Sequence, residues 1–485
     1  MAISRRFSLF IGCLGITLLG AAPVTPDATA AARRHFSPQI EIGPKAQPLQ
    51  AAAPDQSLFT CQVGLSSAVC YDPFQMRHAY GVDNLIAAGY NGAGRSIVII
   101  DAFQSPSLQT DVNTFSANYG LPPSAAFLTQ VAPDGLTPFD PTDANMVGWS
   151  GEITLDVEWA HAIAPGAHVV LVLAKSNSDD DLISALNYAI DNRLGDVVSM
   201  SFGENETCLD QATLDAWHSA FAAATRKSMT LFASSGDQGA AQQTCDGNSW
   251  VQVASQPATD PLVSAVGGTE LHAANYCLSA LGCNPATAPA AGTYQGEIAW
   301  NEFDSESTGG GYSVVYDAPP YQKATVHSKQ RAVPDVAYNA AIYHGVLTVW
   351  QGHYYLFGGT SAGAPQWAAI TAIADQVAGY PLGFLNSAFY QIARTKPNYG
   401  PSFHDITSGN NSVVETDAHD NPVAVSGYAA GVNWDAATGI GSPIDGGLVG
   451  RMIQFTSPGD GNAAIAYSAP HGNGQQGGNG KQHAH

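Results

Sequence analysis

The sequence has few charged residues, and few of those are positive. Charged residues make up 12% of the chain, against about a quarter in an ordinary soluble domain. The balance of 18 Lys and Arg against 40 Asp and Glu gives a formal charge of −22. Nucleic-acid binding depends on Lys and Arg, so that class is disfavoured. The hydrophobic content of 45% argues against disorder. Because protonation lowers the net charge of an acidic protein, this composition suits a protein that works in acid.

Long apolar runs are missing after the N-terminus. Residues 7–19 are apolar, follow Arg5 and Arg6, and precede the small residues 20–22. The run is too short to span a bilayer. We therefore predict a signal peptide at residues 1–22, in preference to a membrane anchor. The expected product is secreted, extracellular or periplasmic if the source is a bacterium with an outer membrane. It would have no membrane contact after signal removal.

Zinc-type cysteine spacing is also missing, since no Cys-x-x-Cys motif occurs. One of the seven cysteines, Cys13, lies in the predicted signal. An even number of remaining cysteines in an exported chain predicts disulfides. Among 15 possible pairings, sequence proximity favours Cys61–Cys70 and Cys277–Cys283, which leaves Cys208–Cys245.

Composition divides the rest of the chain into three parts. Residues 23–70 are rich in Ala and Pro and are predicted to be an N-terminal extension or short leader. Residues 71–456 are predicted to form the folded domain. Residues 457–485, rich in Gly, Asn, Gln and His, are predicted to be a disordered tail.

Short apolar runs alternate with helical patterns in the folded part. Such runs are typical of strands buried on both faces, and their alternation with helices predicts an α/β fold with a parallel sheet. Ligands of such sheets bind beyond the carboxyl ends of the strands. The predicted strands are 96–101, 168–174, 196–202, 229–234 and 262–266, and the predicted helices include 180–192 and 212–225.

In residues 358–369, small residues flank a single serine, Ser361. Pro365 is typical of the first turn of a helix, which places Ser361 just before a helix N-terminus. Backbone N–H groups and the helix dipole favour negative charge there, as a nucleophile requires. A plain N-cap is the commoner meaning of Gly-Thr-Ser alone, but the flanking glycines and proline make the pattern more specific.

A histidine base for this serine is missing, since no His-Gly-Thr-His segment occurs. Residues 149–160 instead place Glu152 and Asp156 four apart, on one helix face among apolar neighbours. Two carboxylates held in low dielectric cannot both ionise easily, so one keeps a proton and the other can accept one. The alternative is an acidic, exposed helix, and this segment alone does not decide between them.

Two further patterns place carboxylates in glycine-rich turns. Asp237 follows a buried strand, where a neutral carboxylic acid could donate to an oxyanion, although most Ser-Gly-Asp turns are only turns. Asp405 and Asp435 lie in loops whose carboxylates and carbonyls could hold a hard cation. Asx-turns are the alternative there, and the spacing matches no EF-hand.

Together these segments resemble the sedolisin family, the serine-carboxyl peptidases. The resemblance covers about residues 71–452. It implies a subtilisin-like three-layer α/β fold, with a mainly parallel central sheet flanked by helices. A short leader stands where family members usually carry a long folded prodomain. The further segments that carry the resemblance are Tyr71-Asp72-Pro73, Arg77-His78-Ala79-Tyr80-Gly81, Ala265-Val266-Gly267-Gly268-Thr269, Trp300-Asn301, Gly309-Gly310-Gly311-Tyr312-Ser313 and Val333-Pro334-Asp335-Val336-Ala337.

The resemblance assigns a role to each catalytic position. Ser361 would be the nucleophile and Glu152 its general base and acid. Asp156 would orient Glu152 and share its proton. Asp237 would line the oxyanion hole, and Asp101 would be at most an accessory group.

The resemblance also implies substrate-binding and metal-binding residues. Ser201 and Gly203 would belong to the strand that pairs with the substrate backbone. One structural calcium ion would be bound by the carboxylates of Asp405 and Asp435 and by the carbonyls of Ile406, Gly431 and Asn433. The family usually has glycine at the position of Asn433, but a carbonyl ligand does not depend on the side chain.

The function implied is a secreted endopeptidase that acts on proteins or peptides in acid as a monomer. Two alternatives remain at this stage. The family also contains tripeptidyl exopeptidases, and the fold could carry an inactive binding protein. The sequence does not separate the first alternative from the endopeptidase, whereas the filled catalytic positions argue against the second.

Overall fold

The computed structural model describes residues 36–49, 58–63, 69–457, 459–466 and 470. The predicted signal peptide and most of the predicted tail lie outside the described residues. The helices are α1 (Pro73–Tyr80), α2 (Val82–Ala87), α3 (Leu108–Tyr119), α4 (Ser124–Phe127), α5 (Ala144–Ile163), α6 (Asp179–Asp191), α7 (Gln211–Arg226), α8 (Gly363–Ala378), α9 (Asn386–Ala393), α10 (Lys396–Tyr399), α11 (Asp445–Phe455) and α12 (Asp460–Ile465).

Most of the strands are short. They are β1 (Ser37–Pro38), β2 (Glu41–Lys45), β3 (Val69–Tyr71), β4 (Ser96–Ala102), β5 (Leu128–Val131), β6 (His168–Ala174), β7 (Val197–Met200), β8 (Phe202–Asn205), β9 (Thr230–Ser234), β10 (Ala241–Gln243), β11 (Trp250–Gln252), β12 (Ser255–Gln256), β13 (Ser264–Ala273), β14 (Tyr294–Ala299), β15 (Asn301–Glu302), β16 (Glu306–Ser307), β17 (Gly311–Asp317), β18 (Gln330–Val333), β19 (Val336–Asn339), β20 (His344–Trp350), β21 (His353–Gly358), β22 (Phe403–His404), β23 (Val413–Thr416), β24 (Pro422–Val425) and β25 (Ser442–Pro443).

The central sheet confirms the predicted α/β class. Its strand order is β14-β13-β9-β7-β4-β6-β5, and β19 also pairs with β13. All pairings in it are parallel except that of β13 with β14. The four consecutive residues from Ile97 to Ile100 in β4 are fully buried, so both faces of the sheet are covered by other elements.

Helices α5 and α8 pack against each other and against the central sheet. Asp143 begins α5 by accepting the N–H groups of Asn145 and Met146, as an N-cap does. Every residue of α5 from Trp149 to Ile163 is buried. Helices with no exposed face lie in the interior of a protein. The alternative of an exposed acidic helix is therefore excluded, and Glu152 and Asp156 lie in the core.

Residues 36–49 fall within the predicted N-terminal extension, yet they pair with strands of the folded body. Strand β1 pairs antiparallel with β8, and β2 pairs antiparallel with β21. Strand β2 is the edge of a four-stranded sheet of order β2-β21-β20-β3. The extension therefore runs along two strands that belong to distant parts of the sequence.

The predicted disulfide pairing is confirmed for all six cysteines. Cys61–Cys70, Cys208–Cys245 and Cys277–Cys283 are bonded. Along the described part of the chain, none of the helices combines the length and the apolar character that crossing a membrane requires.

Candidate active site

The site lies at the carboxyl ends of three neighbouring strands of the central sheet, β4, β7 and β9. Asp101 is the next-to-last residue of β4, Ser201 directly follows β7, and Asp237 lies three residues after β9. Helix α5 brings Glu152 to this edge, and the turn before α8 brings Ser361. The prediction that function lies at this edge of the sheet agrees with this arrangement.

Ser361 lies in a short 3-10 turn, Thr360–Ala362, between β21 and α8. Its side chain is fully buried. Gly359 directly before this turn has φ +93, a conformation that favours glycine. A Cβ on Gly359 would also collide with Asp237 Oδ2 and with the carbonyl oxygen of Gln39. The close approach of Asp237 and Gln39 thus explains why a residue without a side chain precedes the Ser361 turn.

The Ser361 hydroxyl bonds to a carboxylate. Ser361 Oγ donates to Glu152 Oε2 over 3.0 Å and also lies 3.2 Å from the carbonyl oxygen of Ser201. A base within this distance can take the hydroxyl proton directly when the oxygen attacks. The geometry required for general-base activation is therefore present between Ser361 and Glu152.

Glu152 and Asp156 form a coupled pair in the core. The two side chains lie four residues apart on α5, and Ser201 Oγ donates to Asp156 Oδ1 over 2.8 Å. Burial raises the pKa of Glu152 well above its usual range, and the neighbouring Asp156 raises it further. Burial likewise raises the pKa of Asp156. If the pair holds a single proton, one carboxyl is neutral and the other can accept the proton of Ser361.

Asp101 adds a third buried carboxyl beside this pair. Both of its carboxylate oxygens are buried, and neither receives a hydrogen bond from the described residues. Burial raises the pKa of Asp101 well above its usual range, and the charge of Asp156 raises it further. Asp101 therefore favours a neutral form next to Asp156, where it makes a second ionisation of the cluster more difficult.

Asp237 presents one oxygen to the same space as the candidate nucleophile. Its Oδ1 accepts from the backbone N–H of Thr360 (2.7 Å) and from Thr360 Oγ1 (2.8 Å). Its Oδ2 is buried without a partner among the described residues. Burial raises the pKa of Asp237 to about 7. Asp237 therefore favours its protonated form in acid, and a proton on Oδ2 could be donated into this space.

The chain's own residues 36–45 cross the site beside Ser361. The backbone N–H of Ser361 donates to the carbonyl oxygen of Gln39 over 3.0 Å, and the Gln39 N–H donates to the carbonyl of Ser201 over 3.1 Å. Gly203, the second predicted substrate-binding residue, pairs with Ser37 in the β1–β8 ladder. Both predicted residues thus bind an extended peptide backbone, here one from the same chain.

The predicted calcium ligands come together in part. Asp405 Oδ1 accepts the N–H of Asn433 over 2.9 Å, and Asp435 Oδ2 accepts the N–H of Gly431 over 3.1 Å. No described residue donates a hydrogen bond to the carbonyl oxygen of Ile406, Gly431 or Asn433. Two carboxylates and three carbonyl oxygens, drawn from one loop at residues 405–406 and another at residues 431–435, are a donor set that suits a hard cation. The residues present therefore fit a calcium ion.

A second group of potential metal ligands is not predicted from the sequence. Glu270 and His272 on β13 and His344 at the start of β20 bring their ligand atoms within 4.8 Å of one another. Imidazole nitrogens suit transition metals better than calcium. Binding there would require neutral imidazoles, and acid removes them.

Sequence reasoning also missed the residues of the crossing segment. Phe36 and Gln39 are buried. The backbone carbonyl of Asn177 accepts the Phe36 N–H, and the side-chain amide of Asn177 donates to the Phe36 carbonyl. Their pairing partners lie far away in the sequence. The one local sign of an extended strand in this segment is the alternation of polar and apolar residues at positions 39–42.

Comparison with known proteins finds a matching family model and several similar proteins. The subtilase family model matches residues 146–388. Kumamolisin of Bacillus sp. (strain MN-32) is 34% identical over 404 residues, which cover 81% of this chain and 65% of that protein. Xanthomonalisin of Xanthomonas sp. (strain T-22) is 29% identical over 78% of this chain and 46% of that protein. The chain thus spans between about half and two thirds of the length of these curated relatives.

A solved structure agrees with these relatives. Pseudomonas sedolisin, a serine-carboxyl proteinase in complex with two molecules of pseudo-iodotyrostatin, matches with a TM-score of 0.65 and 27% identity. The match covers 81% of this chain and 100% of that one. The chain belongs to the subtilase family and, within it, to the sedolisins.

Proposed function

We propose that this chain is a secreted serine-carboxyl endopeptidase that hydrolyses peptide bonds in proteins and peptides under acidic conditions. The observation that carries the proposal is the 3.0 Å hydrogen bond from Ser361 Oγ to Glu152 Oε2. It couples a buried hydroxyl to a carboxyl whose partner, Asp156, shares its proton. Binding without chemistry would not require this arrangement.

The first half of the reaction forms an ester on Ser361. Its oxygen adds to the carbonyl carbon of the substrate while Glu152 takes the hydroxyl proton. Asp156 shares this proton with Glu152. The backbone N–H of Ser361 and protonated Asp237 donate to the negatively charged oxygen that forms. Glu152 then returns the proton to the leaving nitrogen, and the C–N bond breaks.

The second half of the reaction repeats these roles with water. Glu152 takes a proton from a water molecule, which adds to the ester carbonyl, and the oxyanion is again held by Asp237 and the Ser361 N–H. Collapse returns the proton to Ser361 Oγ and releases a carboxylic acid. Donors that are fixed where charge develops usually make a large contribution to the rate of acyl transfer, about 10²–10³-fold for one oxyanion-hole donor.

The cleft favours endopeptidase over tripeptidyl activity. A tripeptidyl enzyme requires the chain to end three residues before the bond that is cut. Here Phe36, the fourth residue counted back from the Gln39 carbonyl at Ser361, is bound by Asn177 and packs against Phe202 and Trp217. A fourth subsite supports cleavage inside a chain.

The calcium proposal rests on two loops, one with Asp405 and Ile406 and the other with residues 431–435. These two carboxylates, with the carbonyls of Ile406, Gly431 and Asn433, would hold one ion. Bound calcium would tie the two loops together and supply no group to the reaction at Ser361. We propose a stabilising role for it.

Export and a monomeric state complete the proposal. Three disulfides are consistent with an oxidising compartment. The expected partners are protein or peptide substrates alone, without nucleic acid or a membrane.

The test compares peptide substrates at pH 4 and pH 7. A peptide of about ten residues with a blocked N-terminus should be cleaved internally at pH 4. A tripeptidyl enzyme would cleave only the unblocked peptide and release tripeptides. Ser361→Ala should reduce cleavage by more than about 10³-fold with an unchanged circular dichroism spectrum. Equal cleavage by the Ser361→Ala variant, or a rate maximum at pH 7 or above, would refute the proposal.

A further inference from the structure

A cluster of one carboxylate and two imidazoles lies outside the group of carboxyls around Ser361, and we propose that Glu270, His272 and His344 bind one zinc ion. Glu270 and His272 belong to β13 of the central sheet, and His344 begins β20 of the four-stranded sheet. A bound ion would therefore link the two sheets. The inference is independent of the proposed peptidase function, because none of the three residues has a role in the reaction.

The distances between the ligand atoms suit tetrahedral zinc. Glu270 Oε1 lies 3.4 Å from His272 Nε2 and 3.3 Å from His344 Nδ1. Ligand atoms bound at about 2.0–2.1 Å to a tetrahedral zinc ion lie about 3.3–3.4 Å from one another. The ligand atoms of all three residues lie within 4.8 Å of one another, so a small rotation of one ring brings the two imidazole nitrogens to the same spacing.

One of the ring nitrogens is buried without a hydrogen bond. His344 Nδ1 has no hydrogen-bond partner among the described residues, although Glu270 Oε1 lies 3.3 Å away. A buried polar atom without a partner costs free energy, and each such atom in a native structure requires an explanation. A hydrogen bond between imidazole and carboxylate does not explain this contact, whereas an ion between the two atoms would give a partner to both.

The two imidazoles are arranged so that both can face one ion. Their ring centroids are 4.8 Å apart, and the ring planes meet at 69°. Burial, together with the neighbouring His272, lowers the pKa of His344 to about 4. A neutral imidazole is the form that binds a metal, so His344 is ready to coordinate an ion at neutral pH.

Glu270 lacks a permanent cation among its neighbours. Its side chain is only 18% exposed, and in the part of the chain that the structure describes no Lys or Arg forms an ion pair with it. Burial raises the pKa of Glu270, and Glu302 adds a second negative charge nearby. Buried carboxylates are usually paired or bound to metals. A divalent ion would supply the positive charge that neutral His344 does not.

Hydrogen bonds hold the two strands that carry the ligands. Asn339 joins them, since its Oδ1 accepts the Leu271 N–H over 2.9 Å and its Nδ2 donates to the His344 carbonyl over 2.7 Å. The Tyr71 hydroxyl donates to the Leu271 carbonyl over 2.7 Å. Leu271 lies between the two β13 ligands, whose side chains share one face because strand side chains alternate. The ligands are therefore positioned before the ion binds, as a precise metal site requires.

The donor set favours zinc over calcium or magnesium. Imidazole suits zinc and its neighbours in the transition series, whereas calcium and magnesium take oxygen ligands. Two histidines and one carboxylate, with water in the fourth position, are a known zinc ligand set. The His272 side chain is 42% exposed, so an ion and its water can enter from solvent. The ion would stabilise the contact between β13 and β20.

The test adds zinc chloride to full-length Ser361→Ala protein at pH 7.5, where imidazoles are mostly neutral. Excess calcium is present throughout, so that the proposed calcium loops stay filled. Zinc should raise the melting temperature by about 2 °C or more. The same concentration of magnesium chloride should leave melting unchanged.

His272→Ala and Glu270→Gln each remove one ligand. Even an outer-shell change typically costs about 10–100-fold in metal affinity, so loss of a direct ligand should weaken zinc binding by about 10²-fold or more. His78→Ala is the matched control. It removes an imidazole of similar exposure, 39% against 42%, that contacts the single carboxylate of Asp83. This control should keep the whole response to zinc.

Histidines near the C-terminus can also bind zinc, and a second control separates them from the proposed site. The triple variant His471→Ala, His483→Ala, His485→Ala removes these imidazoles. It should keep the rise in melting temperature. Equilibrium dialysis followed by elemental analysis should still find one zinc ion per chain in it.

The outcomes decide the inference without reference to peptide cleavage. Loss of the zinc response in His272→Ala and Glu270→Gln, with the response kept in His78→Ala, would support it. A triple variant that binds no zinc and melts unchanged would overturn it, as would a rise in melting temperature that persists in both ligand variants. Glu270→Gln keeps the shape of its side chain, so it decides the question even if His272→Ala fails to fold.

Discussion

At the scale of single residues, this site replaces an imidazole by a pair of carboxyls. A histidine base titrates near neutral pH by itself, whereas a lone carboxylate on a surface would be a weak base at the same pH. Burial raises the pKa values of Glu152 and Asp156, which makes the pair a stronger base than free carboxylates. The same burial prevents both from ionising together, so each substitution should affect the pair as a unit.

Glu152→Gln should therefore be more damaging than Asp156→Asn. Glu152 receives the hydroxyl proton directly, and general-base catalysis contributes about 10²–10⁴-fold, so we expect a loss of about 10³-fold or more. Asp156→Asn should cost less, since Ser201 Oγ can still bond to the amide. The double variant should be little worse than Glu152→Gln alone. Values of kcat/KM for a blocked peptide at pH 4 measure this, and losses that multiply would show two independent groups.

Asp237→Asn should change the pH profile more than the maximal rate. An asparagine amide donates without needing a proton, and its oxygen can still accept from the Thr360 N–H. The pKa of Asp237 is raised by burial to about 7, so the unaltered enzyme should lose activity as pH rises through that value. The variant should keep activity to higher pH until another group limits it.

Asp237→Ala is the control for that experiment. It removes the donor altogether and should cost about 10²–10³-fold at all pH values where the enzyme acts. The profile of kcat/KM from pH 3 to pH 8 distinguishes the two variants. If the alkaline limb has the same position in the unaltered enzyme and in Asp237→Asn, Asp237 does not act as a protonated donor.

At the scale of elements, the connection between β21 and α8 combines three constraints in a few residues. It must turn the chain, present Ser361 and leave room for a substrate carbonyl. Gly359 meets the first and third of these, because it has φ +93 and its missing Cβ leaves space between Asp237 Oδ2 and the Gln39 oxygen. Local sequence alone shows the first constraint but not the third.

Gly359→Ala should therefore reduce activity, beyond the loss of stability that alanine causes at a positive φ. Gly352 is the matched control, since it also has a positive φ of +76 but has open space around it. Alanine should cost about 1–2 kcal/mol of folding free energy from backbone strain at Gly352, and more at Gly359, where the Cβ also collides with Asp237 Oδ2 and the Gln39 carbonyl oxygen. Collision with the substrate carbonyl should reduce kcat/KM only for Gly359→Ala, by about 10²-fold or more. Urea unfolding and peptide hydrolysis measure the two effects, and equal kcat/KM in both variants would contradict the steric argument.

The elements also show what the sequence can and cannot predict. Strands β4, β6 and β9 were predicted nearly to the residue because each is a continuous apolar run that needs no partner to be identified. Ser361 and the pair on α5 were predicted because their signals are local. The course of residues 36–45 was not predicted, since β1 and β2 are short, carry Pro and Gly, and pair with strands more than 150 residues away.

At the scale of the whole molecule, buried carboxyls outside the active site should make stability depend on pH. Burial raises the pKa of Glu206 to about 7 and that of Asp375 to about 8, and it raises the pKa of Asp445 well above its usual range. A carboxyl with a raised folded-state pKa binds its proton more tightly in the folded chain than in the unfolded chain. Its contribution to stability is therefore complete below about pH 4 and is lost as pH rises through the folded-state pKa.

The free energy of unfolding should accordingly fall between about pH 4 and pH 8. The change should amount to several kcal/mol over the set of groups, since each pKa unit corresponds to about 1.4 kcal/mol. Asp375→Asn should flatten the curve, because an amide does not ionise. Urea unfolding of Ser361→Ala protein, which avoids self-digestion, measures it at several pH values. A stability that rises steadily from pH 4 to pH 8 would show that these carboxyls ionise without cost.

The calcium site predicts a pH dependence of the opposite sign. A bound ion stabilises the folded chain in proportion to its occupancy, and occupancy requires ionised carboxylates. Protonated carboxylates are poor ligands, so acid should release the ion. Chelator should therefore lower the melting temperature at pH 6, and its effect should fade towards pH 3.

Asp435→Ala should reproduce the effect of the chelator and make added calcium irrelevant. Asp191→Ala is the control, because it removes one negative charge from a side chain that is 80% exposed on α6 and should leave the response to calcium intact. Melting curves of the Ser361→Ala background with and without chelator measure both, and elemental analysis counts the ion. Because the ion would tie residue 405 to residues 431–435, its loss should loosen that part of the chain first, and hydrogen exchange should increase there before it increases in the central sheet. Unchanged melting together with no calcium by elemental analysis would remove the site.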